Sequence, residues 1–203
     1  KEDVDLKQVL LNGTYAIMKS YTKPYASCRY THPVVEAAIH MREHVNPEDV
    51  MEIDIRTYDL AVAGHDHTDI PGSYSAKMSI PYAAAVGLMY GKAGLQEFSE
   101  EAVKRPDILK LTKKVRVSAD EALSAAFPDM QAAVVTIKTK GRLFTERVDF
   151  PKGEPENPMT DEEFHDRYDD LMEYGGVNSS VSREVFGTVY KENATVGELV
   201  KNL

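Results

Sequence analysis

Two runs of alternating apolar and polar residues, 131–139 and 142–150, flank the short polar link Thr139-Lys140-Gly141. Alternation gives an extended chain one apolar and one wet face. A glycine-bearing link of this length folds two such runs back on each other. The chain is thereby committed to an antiparallel hairpin. The rest of the chain has to supply further strands and a cover for the hairpin's apolar face.

Residues 50–58 alternate in the same way and predict another strand, and residues 115–117 predict the start of one more. A looser alternation over residues 14–22 predicts a strand that ends at Lys23-Pro24, and residues 1–12 read as a charged lead-in. Helical spacing fills the gaps. Thr31 is a candidate N-cap with Pro33 in the first turn, and Val34, Ala37, Ala38 and Met41 form one apolar stripe of a helix running to about His44. Asn46-Pro47 stops it. Residues 62–76 read as a polar loop. Residues 77–90 predict an Ala-rich helix with Ser79 as cap, ended by Gly91 and Gly94. A further helix opens at Ser99, is broken or restarted by Pro106 and ends near Lys114.

A proline-rich connector, 150–158, separates all of this from a tail with no strand pattern. Thr160-Asp-Glu-Glu163 matches a capping box, and residues 160–203 predict two or three acidic, partly amphipathic helices. The predicted fold class is α+β, a mainly antiparallel sheet with helices on one face, followed by C-terminal helices suited to packing on something else.

The net charge is −9, from 24 Lys+Arg against 33 Asp+Glu. That excludes general nucleic-acid binding, which needs a basic face, but not a small anion in a local basic pocket. The single cysteine, Cys28, excludes an internal disulfide and fits a cytoplasmic setting. No apolar run approaches the ~20 residues of a membrane span. Dinucleotide-binding, P-loop, nucleophile-elbow and paired-cysteine zinc patterns are all missing.

The densest chemistry lies in Lys23-Pro-Tyr-Ala-Ser-Cys28-Arg-Tyr-Thr-His32. Lys23 and Arg29 suit a carboxylate clamp at a helix start, and His32 suits hydrogen bonding or proton transfer. The same residues equally suit a polar strand-to-helix corner. Lys77 and Ser79 open the Ala-rich helix, either as an anion site or as an ordinary cap beside a solvated lysine. His65, Asp66, His67 and Asp69 present a His-x-His pair without a clear distant third ligand, so a polar loop is the simpler reading. Cys28 suits a small pocket-lining residue. It would be a nucleophile only with a base beside it.

Four segments together resemble one family. Lys23 to Pro33, followed by a helix, resembles the KPYPCCRxTHP region of the MmgE/PrpD family. Ala76-Lys-Met-Ser-Ile-Pro-Tyr82 resembles its AKFSLPY signature. Tyr90-Gly-Lys-Ala-Gly-Leu, Arg105-Pro-Asp-Ile-Leu and Lys114-Val-Arg-Val resemble the segments that follow. Arg147-Val-Asp-Phe-Pro-Lys-Gly-Glu-Pro-Glu-Asn-Pro-Met-Thr resembles the closing YPKGHPENPLT stretch. All four occur in the family's order. Met78 departs from the aromatic residue usual there, and Cys28 stands where members carry His or Cys.

The resemblance implies the C-terminal part of a longer chain. It implies an α+β lid domain at 12–155, then a helical segment at 156–203 returning to an all-helical domain that this chain does not contain. It implies a metal-independent lyase without cofactor, acting on a small di- or tricarboxylic acid at a site between the two domains. The expected reaction is a 2-methylcitrate dehydratase-type hydro-lyase step, with cis-aconitate decarboxylation or iminodisuccinate epimerisation as alternatives. Lys23 and His32 are the expected catalytic residues, and Arg29, Cys28, Lys77 and Ser79 the expected substrate-binding ones, with further groups on the helical domain. The expected partners are the polycarboxylate and a second copy in a full-length homodimer, with no nucleic acid and no membrane. The competing class is a non-catalytic α+β interaction module.

Overall fold

The computed structural model describes residues 15–201. The expected lead-in at 1–12 and the first residue of the strand expected at 14–22 lie outside them. Strand β1 (Val50–Thr57) is central. It runs parallel to β2 (Val115–Ala119) and antiparallel to β3 (Ala133–Thr139), and β3 pairs antiparallel with β4 (Leu143–Val148). The order is β2-β1-β3-β4. Two of the three pairings are antiparallel. The parallel one makes the sheet mixed, because the chain between β1 and β2 crosses back as helices before re-entering the sheet.

Register follows burial. Ile53 aligns with Val115 on one side and Ile137 on the other, all three buried, so their row forms the floor of the core. A register shift between Val50 and Glu52 leaves Met51 as an extra, exposed residue. That bulge is why Val50 and Ile53, an odd number apart, are both buried. The predicted hairpin is present, with the Thr139 amide donating to the Arg142 carbonyl at 2.9 Å.

Helices α1 (His32–Met41), α2 (Asp59–Val62), α3 (Ser73–Met78), α4 (Ile80–Tyr90), α5 (Pro106–Thr112) and α6 (Glu121–Ala126) complete the α+β body. Helix α4 is buried from Ile80 to Leu88 and packs against α1. A Cβ on Gly87 would lie 2.9 Å from the Val35 carbonyl oxygen, so the glycine is what lets the two backbones approach. Ser79 caps α4 as expected, its Oγ accepting the Tyr82 amide at 3.1 Å, and Gly91 ends it in the left-handed region at φ 69°.

Local detail departs from the sequence reading in four places. Residues 16–19 form a single 3-10 turn rather than a strand and pair with no strand of the sheet. Residues 73–76, expected as the end of a loop, are helical together with Lys77 and Met78, and Ser79 separates this helix from α4 rather than lying inside one helix from 77. The segment after Ser99 makes only a 3-10 turn, Ala102–Lys104, before α5 begins at Pro106. Helix α6 was not anticipated. Asp120 starts it by accepting the Ala122 and Leu123 amides.

Three helices close the described chain: α7 (Asp161–Tyr174), α8 (Ser179–Val189) and α9 (Val196–Lys201). The capping box at Thr160 and Glu163 is formed in both directions. No residue of α7 is fully buried, and Leu171, Tyr174, Val189, Tyr190, Val196 and Val200 are exposed. No helix among the described residues is long and apolar enough to cross a membrane.

Candidate active site

The segment 20–28 runs outside regular secondary structure and does not belong to the sheet. Its backbone is tied to three separate elements instead. Thr22 donates to the Gly153 carbonyl at 2.9 Å, Ala26 to the Ala93 carbonyl at 2.9 Å, and Cys28 to the Lys77 carbonyl at 2.7 Å. It then tightens into a 3-10 turn, Arg29–Thr31, that runs into α1. Thr31 holds the N-cap position, yet its hydroxyl bonds the Cys28 carbonyl at 2.9 Å and the Ser27 hydroxyl at 2.7 Å, which rigidifies the turn rather than capping the helix.

Lys23 is exposed and lines a cavity of about 340 Å3 shared with Tyr25, Lys92, Lys152, Glu163 and Arg167. Arg167 donates to the Lys23 carbonyl, which joins α7 to this segment, and burial lowers the Arg167 pKa. Lys92 pairs with Glu97 at 3.5 Å and Lys152 with Glu163 at 3.3 Å. The Lys23 ammonium has no hydrogen bond or ion pair among the described residues. Asp166 and Asp170 line the same cavity, so Lys23 is a cation without a direct ion pair on a rim of mixed charge.

Arg29 is differently placed. Its guanidinium is engaged by Glu154, with Nε donating to Oε1 at 3.0 Å, and it lies 5.1 Å over the Tyr21 ring. It lines another cavity with Lys19, Gln131, Phe150 and Glu154. His32 is fully buried, with Nε2 3.4 Å from the Ser27 carbonyl oxygen and Tyr25 edge-on at 5.2 Å. Burial, then Arg29 and Lys23, push its pKa down to about 3, so the imidazole is neutral. Nδ1 of His32 is buried with no hydrogen-bond partner among the described residues.

Cys28 and Lys77 meet through their backbones. The Cys28 Sγ lies 3.6 Å from His65 Nε2. The Lys77 side chain is half-buried, with no hydrogen bond or ion pair among the described residues. Ser79 is fully buried and committed, its hydroxyl donating to the His67 carbonyl at 2.6 Å while capping α4. The fold thus brings Cys28, Lys77 and Ser79 to one neighbourhood and gives Lys23 and Arg29 separate cavities. His67 bonds Ser75, and no group of three or more His, Cys, Asp or Glu residues converges on a metal position among the described residues.

Sequence reading missed the groups that hold this wall in place. Glu36 is buried on α1 and accepts the Lys152 amide and, at 2.9 Å, Asn157 Nδ2. Asn157 also donates to the Phe150 carbonyl at 2.9 Å. The connector motif Pro151-Lys-Gly-Glu-Pro-Glu-Asn157 is therefore structural in its parts: Asn157 locks its bend, Glu154 engages Arg29 and Gly153 carries Thr22. An acid inside the apolar run Val34-Val35-Glu36-Ala37-Ala38 was the available signal.

Comparison with known proteins adds two findings. The model of the MmgE/PrpD C-terminal domain matches residues 25–186. Mouse (Mus musculus) cis-aconitate decarboxylase is 26% identical over 146 residues, covering 68% of this chain and 30% of that protein. The chain thus matches less than a third of that relative's length. The family match takes in the 25–32 turn, the sheet, the connector and most of the C-terminal helical stretch, and on it the chain belongs to the MmgE/PrpD family.

Proposed function

We propose that the chain is the C-terminal part of a lyase acting on a small di- or tricarboxylic acid, by dehydration of a 2-methylcitrate-type hydroxy acid. Family membership over residues 25–186 supports the reading. The observation that carries it is Lys23, an ammonium without a direct ion pair among the described residues, at a cavity rim in a segment anchored to three elements. In such reactions negative charge develops beside a carboxylate, and a fixed cation stabilises it without reorganising.

In this reading Lys23 holds one substrate carboxylate, and Lys77, beside Cys28 and outside the Lys23 cavity, is a candidate cation for a second one. Arg29, held by Glu154, shapes the wall, and His32 supports it as a neutral buried ring. The groups that move the proton sit on the helical domain of the full-length protein. We place that protein in the cytoplasm as a homodimer.

One observation favours a second reaction on the same scaffold. The mouse relative is named for decarboxylating cis-aconitate, so decarboxylation is the alternative. The deciding experiment incubates the full-length protein containing this chain with 2-methylcitrate, and separately with cis-aconitate, and follows products by NMR. Loss of water from the first supports dehydration. Release of carbon dioxide from the second supports decarboxylation, and turnover of neither removes the polycarboxylate reading.

A further inference from the structure

We propose that Cys28 and His65 form a thiol–imidazole dyad that makes Cys28 a nucleophilic site for small carbon electrophiles. The inference rests on the geometry of this pair and does not depend on the reaction proposed above.

His65 Nδ1 lies 3.0 Å from the Ala63 carbonyl oxygen. A carbonyl only accepts, so Nδ1 carries the proton. In the neutral ring that leaves Nε2 with a free lone pair, and Nε2 is the atom 3.6 Å from Cys28 Sγ. The thiol must be the donor. This arrangement, a nucleophile facing a base that a third group orients, is the one that activates cysteine nucleophiles.

The pair is held on every side. The His65 amide donates to the Val62 carbonyl at 3.1 Å, and the His65 carbonyl accepts the Ile80 amide at 2.8 Å. Tyr30 stands edge-on to the imidazole at 5.2 Å, and Tyr30 in turn packs edge-on to the buried Tyr58. The Cys28 amide is fixed by the Lys77 carbonyl at 2.7 Å. His65 is itself buried, 8% exposed, whereas Cys28 is only half-buried. With no third His, Cys, Asp or Glu converging among the described residues, the geometry lacks the ligand count of a metal site.

Attack on iodoacetamide balances simply. A bond forms between Sγ and the reagent's methylene carbon, the carbon–iodine bond breaks, iodide leaves, and the thiol proton passes to His65 Nε2. Because the chain has one cysteine, every adduct reports on Cys28.

The test follows carbamidomethylation by intact mass at about pH 7, for the native chain, the same chain unfolded in guanidinium, and His65→Gln. Partial burial alone slows a native thiol relative to the unfolded one. The dyad predicts the reverse, a native rate at least about fivefold above the unfolded rate, and a similar loss in His65→Gln. A native rate at or below the unfolded rate overturns the proposal without any variant. So does a His65→Gln chain that melts like the parent and reacts as fast.

Discussion

The Thr22 amide donates to the Gly153 carbonyl at 2.9 Å, and a Cβ built on Gly153 would lie 1.9 Å from the Thr22 carbonyl oxygen. The two backbones touch with no space for any side chain. Gly153 also sits at φ 93°, which L-residues with a Cβ rarely adopt. Lys23 follows Thr22 directly, so the position of the cavity-rim cation depends on this contact.

Gly153→Ala is expected to destabilise the chain by about 2–4 kcal/mol, from strain at positive φ and displacement of Thr22 together. Urea unfolding measures it. A midpoint equal to that of the parent would show that the contact is not made in solution.

Glu36→Ala leaves the Lys152 amide and Asn157 Nδ2 without their buried acceptor. The expected cost is about 2–4 kcal/mol. Asn157→Ala shares part of the same network, so the double variant should cost less than the sum of the singles. Strict additivity in a double-mutant cycle would count against the link between α1 and the connector.

Arg29 and Glu154 form an ion pair whose side chains are 10% and 17% exposed. Removing only one partner strands a charge, so Arg29→Met should cost about 2–3 kcal/mol. Arg29→Met with Glu154→Gln should recover at least half of that. Equal stability of the single and double variants would argue that the two groups do not interact.

His32 supplies a pH dependence. The unfolded imidazole binds its proton near the ordinary value of 6.5 and the folded one only near 3. Between these values the unfolded state holds the extra proton, so stability is complete above about pH 6.5 and falls as pH is lowered. From pH 7 to 4.5 the loss from this residue alone is about 3 kcal/mol. Denaturant titrations of the parent and His32→Asn at both pH values measure it, and equal pH sensitivity in the two chains would remove His32 as the source.

On the proposed lyase function, Lys23→Ala in the full-length protein is expected to lower kcat/KM by an amount equivalent to about 2–4 kcal/mol of transition-state stabilisation. Lys23 is exposed, so its removal should leave the melting temperature nearly unchanged. Unchanged kcat/KM would take Lys23 out of the site.

What was legible in the sequence was local. Ser79 bonds Tyr82, Thr160 bonds Glu163, and Thr139 bonds Arg142, each three residues apart, and all three were read correctly from side-chain type and spacing. What was not legible joins distant positions. Arg29 meets Glu154 across 125 residues and Glu36 meets Asn157 across 121. Alternation at 14–22 also misled, because periodicity records the pattern of a segment and not the long-range pairing that would make it a strand. The parallel pairing of β1 with β2 was hidden for the same reason. Cys28 and His65 were each noticed, but their meeting depends on the loop before α3 folding over the 28–31 turn, which neither neighbourhood announces.

The anchoring of residues 22, 26 and 28 to three different elements has a thermal consequence. None of those bonds belongs to the sheet, whose ladder opens only with the whole body. They are expected to open instead in a smaller unit made of the connector, the loop after α4 and the end of α3, at a lower free energy than the sheet. On the proposed function, loss of activity of the full-length protein on heating should then run ahead of its loss of secondary structure. The amides of Thr22, Ala26 and Cys28 should exchange with deuterium together, and sooner than those of β1.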